Sequence, residues 1–194
     1  METPSLNVPI GMNLTDEQFY QLCVANKQQQ LELTADGQLI IMPLKGNITS
    51  INSDFRSELA NWNHYKKAGY VFSSPTEFHL PNGAYRSPDI SWIVLERWEG
   101  LSHIERRLFP PLCPDFVIEV CSECDSLEEL RSKMYEYRDN GTRLGWLVDL
   151  QRSVVEIYRS QHVEIINFSH DNPPQLTGED VMPGFKLDLS LIVC

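Results

Sequence analysis

Two acidic side chains stand inside otherwise apolar runs. They are Asp89 in Ser87-Pro88-Asp89-Ile90 and Glu119 in Phe116-Val117-Ile118-Glu119-Val120. A bare carboxylate is costly to bury and normally needs a metal, a cation or hydrogen bonds. Lys133 follows on an amphipathic segment. Two acids and a lysine on neighbouring core elements are the parts of a metal-dependent site that cleaves phosphodiesters. That hydrolysis must offset negative charge, activate water and stabilise developing charge, and a hard cation on carboxylates can serve all three. Mg²⁺ takes one or two carboxylates plus waters, which suits Asp89 and Glu119, with Mn²⁺ as a substitute. A nearby lysine can hold the phosphate or the attacking water. Each residue also has a plain reading: Asp89 as a turn cap after Pro88, Glu119 as the buried partner of an Arg or Lys, Lys133 as an exposed helix lysine. The three together favour a site.

The elements that must position these groups follow from spacing. In the strand Asp115 to Cys121 side chains alternate, so Glu119 shares a face with Val117 and Cys121, opposite Phe116, Ile118 and Val120. Asp115 is on that face too, but about 13 Å from Glu119 along the strand, too far to share one ion, and its place is the strand entrance. Asp89 to Leu95 is apolar on both faces and reads as a central strand. Ser126 and Glu129 open a helix as a capping box, with Leu127, Leu130, Met134 and Tyr137 as its apolar stripe. Lys133 flanks that stripe, where a long side chain reaches back toward the sheet. Asn140-Gly141 stops the helix.

Upstream, Thr15 to Asn26 reads as a first helix capped by Thr15. Gln30 to Thr34 and Gln38 to Met42 flank Asp36-Gly37 as a hairpin. Ile48, Ile51, Phe55, Leu59, Trp62 and Tyr65 form one helix face, ended by Gly69 as a cap. Val71-Phe72 and Glu77 to Leu80 are short strands, Pro81-Asn82-Gly83 is a turn, and Glu96 to Pro114 is an irregular loop. Leu144 to Leu150, Val154 to Arg159 and His162 to Phe168 are further strands, before a Pro183-Gly184 turn. The order β–α–β around Glu119, the Lys133 helix and Trp146 is a crossover unit with parallel strands. The fold class is therefore α/β, or α+β, with a mixed central sheet and helices against it.

The 194 residues suit a single domain over 1–194, and 42% hydrophobic with 22% charged residues is a globular balance. No apolar run approaches a membrane span, and Met1 to Leu14 lacks the pattern of a signal peptide, so the expected location is cytoplasmic. The net charge of −11 opposes broad nucleic-acid binding. Local basic candidates remain at Lys66-Lys67, at Arg106-Arg107 and in the Arg131, Lys133, Arg138 and Arg143 set. Five cysteines at irregular spacing read as reduced thiols. Cys121 and Cys124 form a lone CxxC. With Cys113 and His103 upstream it could bind zinc, but it lacks the second pair of a structural zinc site.

Several strings together carry a family resemblance: Leu31-Glu32-Leu33 with Asp36-Gly37-Gln38-Leu39-Ile40; Phe72-Ser73-Ser74; Arg86-Ser87-Pro88-Asp89-Ile90-Ser91-Trp92; Pro114-Asp115-Phe116-Val117-Ile118-Glu119-Val120 with Ser122 and Asp125; Lys133-Met134-Tyr135-Glu136-Tyr137; Trp146-Leu147-Val148-Asp149; and Glu179 to Phe185. The chain resembles the Uma-type endonucleases, a bacterial branch of the PD-(D/E)XK nuclease superfamily. The resemblance implies a restriction-endonuclease-like fold. It gives Asp89 the acid of the PD half-motif and Glu119 the acid of the (D/E)XK half. Cys121 stands where the motif lysine is expected, and Lys133 matches the branches in which that lysine moves to the next helix. Glu32 matches an acid near the site, with a possible ligand role. The implied reaction is Mg²⁺-dependent cleavage of DNA, for which two chains with one site each make a homodimer natural. The alternative is a non-catalytic binding or regulatory protein on a nuclease fold.

Overall fold

Alternation decides which face each strand buries, and helical spacing decides which side of each helix meets it. A computed structural model describes residues 5–7, 14–27, 29–43, 49–123 and 125–192. The chain runs β1 (Ser5–Asn7), α1 (Asp16–Ala25), β2 (Gln29–Leu33), β3 (Gln38–Pro43), α2 (Thr49–Lys66) and β4 (Gly69–Ser73). It continues with β5 (Phe78–His79), β6 (Tyr85–Arg86), β7 (Ile90–Val94), α3 (Leu95–Glu99), β8 (Phe116–Val120) and α4 (Leu127–Asp139). β9 (Leu144–Asp149), β10 (Val154–Arg159), β11 (Val163–Asn167), β12 (Gln175–Thr177) and β13 (Lys186–Asp188) follow, then a 3₁₀ turn at Leu189–Leu191.

Among the described residues the main sheet has six strands in the order β11-β10-β9-β8-β7-β4. β8 and β9 are parallel and joined through α4, while the remaining pairs are antiparallel. The mixed sheet and the crossover expected around Glu119 are therefore present. A second sheet, β1-β3-β2-β6-β5, contains the hairpin around Asp36-Gly37.

One face of the main sheet packs on α2 and the C-terminal segment. Phe116, Ile118 and Val120 from β8 meet Trp92, Trp146, Phe55, Leu59, Phe185 and Leu187 there. On the other face, Val117 and Cys121 meet Leu130, Met134 and Tyr137 of α4, with Phe78, Leu80 and Trp98. α1 is capped as expected. Thr15 Oγ1 accepts from the Gln18 N–H at 3.2 Å, and Gln18 Oε1 accepts from the Thr15 N–H at 2.9 Å. Its Phe19 packs against Tyr85 of the second sheet and Phe109 of the loop after α3.

Two expectations need correction. Gly69 does not cap α2; the helix ends at Lys66, and Gly69 opens β4. A Cβ at Gly69 would lie 2.1 Å from the Ile93 carbonyl oxygen, so close backbone approach sets this position. The segment from Glu96 onward is not all irregular, because α3 occupies its start. Val94, before α3, offers no side-chain cap, so the usual start signal is missing from the sequence.

Candidate active site

The pairing of β7 with β8 positions the two acids. Ile90 faces Ile118 in antiparallel register, so one further step sets Asp89 opposite Glu119. Directly opposed residues have Cβ atoms about 5 Å apart. Asp89 Oδ2 accepts from the N–H of Val120, the residue after Glu119, at 2.9 Å. Asp89 Oδ1 accepts from Asn52 Nδ2 on α2 at 3.0 Å.

The crossover helix brings in the lysine. Ser126 Oγ accepts from the Glu129 N–H at 3.4 Å at the start of α4. The helix then lays Leu130, Met134 and Tyr137 on the sheet and carries Lys133 inward with them. Lys133 is 8% exposed, so the exposed-lysine reading is excluded. Its Nζ lies 2.8 Å from Glu119 Oε1, 2.8 Å from Glu32 Oε1 and 3.4 Å from the Ser87 carbonyl oxygen. Glu32 comes from β2 of the second sheet. It accepts from the Ser87 N–H at 2.9 Å and pairs with Arg86 at 3.1 Å. Arg86 also pairs with Glu136 on α4. Tyr137 donates its hydroxyl to Glu119 Oε1 at 3.2 Å. Thus Glu32, Glu119 and Lys133, far apart in sequence, form one buried ion-pair network beside Asp89.

The electrostatics follow from burial. Burial raises Glu119; Lys133 opposes it, Asp89 and Glu32 reinforce it, and the carboxyl sits at about 7. Burial also pushes Glu32 upward, but Lys133 and Arg86 outweigh it and hold that carboxyl below its ordinary value. Burial would lower Lys133, yet Glu119 and Glu32 overcome it and hold the ammonium above its ordinary value. Burial, with Glu119 and Glu32, keeps Tyr137 protonated, as its donated hydrogen bond requires.

Other candidates separate from this site. Asp115 is buried at the strand entrance, where it pairs with Arg97 at 2.9 Å and accepts from the Val94 N–H at 3.0 Å. Cys113 contacts Thr142 Oγ1 at 3.2 Å, away from Cys121. Cys23, Cys113 and Cys121 carry no disulfide, while Cys124 lies outside the described residues. Among the described residues no group of three or more His, Cys, Asp or Glu could hold a metal ion. A cation at Asp89 and Glu119 would therefore need oxygens of other kinds.

Spacing alone did not single out Arg86, Tyr137 as a donor, or Asn52. Asn52 had a usable signal, because it lies between Ile51 and Phe55 on the inward side of α2 yet is polar. Arg86 meets Glu32 across 54 residues of chain and had none.

Comparison with known proteins agrees with this architecture. No curated protein matches the chain. A crystal structure at 1.96 Å resolution, described as "a putative nuclease belonging to DUF820" from Anabaena variabilis ATCC 29413, is similar with a TM-score of 0.74 and 18% identity. The alignment covers 92% of this chain and 97% of that one, so the two share a fold. The family model for Uma2, "Putative restriction endonuclease", matches residues 16–190. That span takes in β2, both opposed carboxylates and the crossover helix, and the chain belongs to the Uma2 family.

Proposed function

We propose that this chain is a divalent-cation-dependent endonuclease that hydrolyses DNA phosphodiester bonds at Asp89, Glu119 and Lys133. The observation that carries the reading is the buried Glu119–Lys133 pair, with Asp89 set opposite Glu119. The family description and the nuclease description of the Anabaena protein support the same reaction class.

The donor set fits a hard cation. Asn52 gives its N–H to Asp89, while its buried Oδ1 has no hydrogen-bond partner among the described residues. An uncompensated amide oxygen beside the Asp89 carboxylate is a donor of the type Mg²⁺ and Mn²⁺ take. Asp89 and Glu119 would hold the cation, with Asn52 Oδ1 as an additional oxygen. When bound, it would offset phosphate charge and acidify a water. The chain's own residues supply the rest. Lys133 keeps its proton and offers a fixed positive charge to a phosphoryl oxygen. Glu32, itself fixed by Arg86 and the Ser87 N–H, sets the direction of the ammonium. The Tyr137 hydroxyl fixes Glu119.

One site cuts one strand, so duplex cleavage calls for two chains, and the proposal extends to a homodimer. Among the described residues no helix is long and apolar enough to cross a membrane. Unbridged cysteines suit a reducing compartment, and we place the activity in the cytoplasm. One observation favours the second reading, a non-catalytic binding protein on this fold: Cys121 occupies the position expected of the motif lysine.

The test is cleavage of plasmid DNA at low salt with Mg²⁺ or Mn²⁺, alongside calorimetric Mn²⁺ binding. Asp89→Ala and Glu119→Ala should abolish cutting. Lys133→Ala, assayed where circular dichroism shows it folded, should cut about 10²-fold more slowly with Mn²⁺ affinity retained. Asn52→Ala should weaken Mn²⁺ binding by about tenfold. Wild-type protein that binds no divalent ion and cuts nothing supports the second reading. Cleavage surviving in Asp89→Ala removes the proposed site.

A further inference from the structure

A concave feature lies outside the residues of the acidic site. A cleft of about 570 Å³ is lined by residues of α1, of the Ser74–Glu77 connection and of the loop that follows α3. That volume is typical of a ligand site. The rings of Tyr20, Phe72, Trp98 and Phe109 line it. So do the cations Lys27, Arg106 and Arg107, against one acid, Glu77, among the described residues. The whole chain has 27 acids to 16 Lys and Arg, so the local balance is reversed.

Arg106 is held differently from several other arginines of the molecule. Arg131 pairs with Glu156, Arg138 with Asp139 and Arg152 with Asp149. Arg106 instead donates to the carbonyl oxygens of Leu101 at 3.0 Å and Glu99 at 2.8 Å, with its guanidinium 5.8 Å from the centre of the Trp98 ring. Neutral acceptors fix its place without cancelling its charge. The cleft is also one peptide group away from the lysine of the site. Gln30, on the cleft wall, donates to the Ser87 carbonyl oxygen at 3.1 Å, and Lys133 reaches the same oxygen at 3.4 Å.

We infer that this cleft binds an unpaired stretch of nucleic-acid strand, its bases against the aromatic rings and its phosphates on Lys27, Arg106 and Arg107. The inference rests on the nuclease reading and names the form of substrate that the site takes. Rings interleaved with cations are the means by which proteins hold single strands, because every base has a face to stack and every nucleotide a phosphate. A duplex about 20 Å wide cannot enter a cleft of this volume, whereas one or two splayed nucleotides can. Partial exposure of Val24 and Leu108 at the rim also raises a second copy of the chain as an occupant. The charge reversal favours the polyanion.

The test is anisotropy of fluorescein-labelled dT and rU decamers, and of a DNA duplex, titrated with intact protein in EDTA across a salt series. Single strands should bind more tightly than duplex. The slope of log affinity against log salt should be about −2, as expected for three phosphate contacts. Lys27→Gln/Arg107→Gln, both at exposed positions, should weaken binding at least tenfold and flatten the slope by about 1.4. Lys66→Gln, elsewhere on the surface, should change neither. Tighter binding of dT or of rU supports the inference and identifies the sugar. Unchanged affinity and slope in the double variant overturn it. Preference for duplex also overturns it, as does a dimer broken by Leu108→Glu in protein that binds no oligonucleotide. The assay needs no cleavage, so an inactive protein that still binds through this cleft refutes the nuclease reading and leaves the cleft assigned.

Discussion

The two faces of the six-stranded sheet solve burial in opposite ways, although the same strands supply both. From β8, Phe116, Ile118 and Val120 enter a core of rings and aliphatic chains in which Trp146 stacks on Phe185 with centroids 5.9 Å apart. The alternate residues of β8 face α4, where Glu119, Lys133, Glu32, Arg86 and Tyr137 are buried together. Burial stabilises the first face through area and packing, without any need for charge compensation. On the second face an apolar cluster of Val117, Leu130, Met134 and Leu147 surrounds buried charges that are tolerated only because they satisfy one another. Removing one member leaves its partners buried and uncompensated, which costs more than removing the group together. A site built this way is stiff and charged, as polarising a phosphate requires, but it contributes little net stability.

This contrast can be broken by mutation. Trp146→Ala should have the largest effect, a loss of about 4 kcal/mol in urea unfolding, because it empties a fully buried ring position. A loss below about 1 kcal/mol would show that the apolar face does not dominate stability. Lys133→Met should follow at about 3 kcal/mol, since Glu119 would then be buried without its cation beside Glu32, which keeps only Arg86. Adding Glu119→Gln and Glu32→Gln should recover most of that loss, whereas additive losses would mean the network is not a unit.

How far the sequence reveals these faces depends on the range of the interactions. The β8 alternation, the α4 stripe and the hairpin at Asp36-Gly37 rest on local spacing, and each is read correctly from the residues. The position of Lys133, three residues after Leu130 and four before Tyr137, is enough to turn it toward the sheet. Glu32 entered only through family resemblance, because nothing near it in sequence says that β2 ends beside α4. The same holds for Arg86, whose partners Glu32 and Glu136 lie 54 and 50 residues away. Tyr137 reads as apolar from its spacing, yet its hydroxyl serves Glu119. Gly69 misleads in the other direction, because a glycine after a helix reads as a cap when the real demand is the Ile93 carbonyl beside it.

The smallest predicted effect sharpens the comparison within the charged side. Glu77, on the cleft wall, has its carboxyl raised to about 7, chiefly by burial and further by Glu32, against a hydrogen bond from Cys23. An acid raised on folding favours the folded state when protonated. Its contribution is complete below the unfolded value of 4.5 and is lost as pH rises toward about 7. Wild type should therefore lose about 1 kcal/mol relative to Glu77→Gln between those limits, with no further change above them, once partial exposure is discounted. Glu32 is shifted the other way by Lys133 and Arg86. Its contribution is present above its unfolded value and is lost as pH falls through its lowered folded value. Urea midpoints measured across pH for wild type, Glu77→Gln and Glu32→Gln should thus give difference slopes of opposite sign. Slopes of the same sign would mean that the cation pairing at Glu32, absent at Glu77, does not separate the two carboxylates.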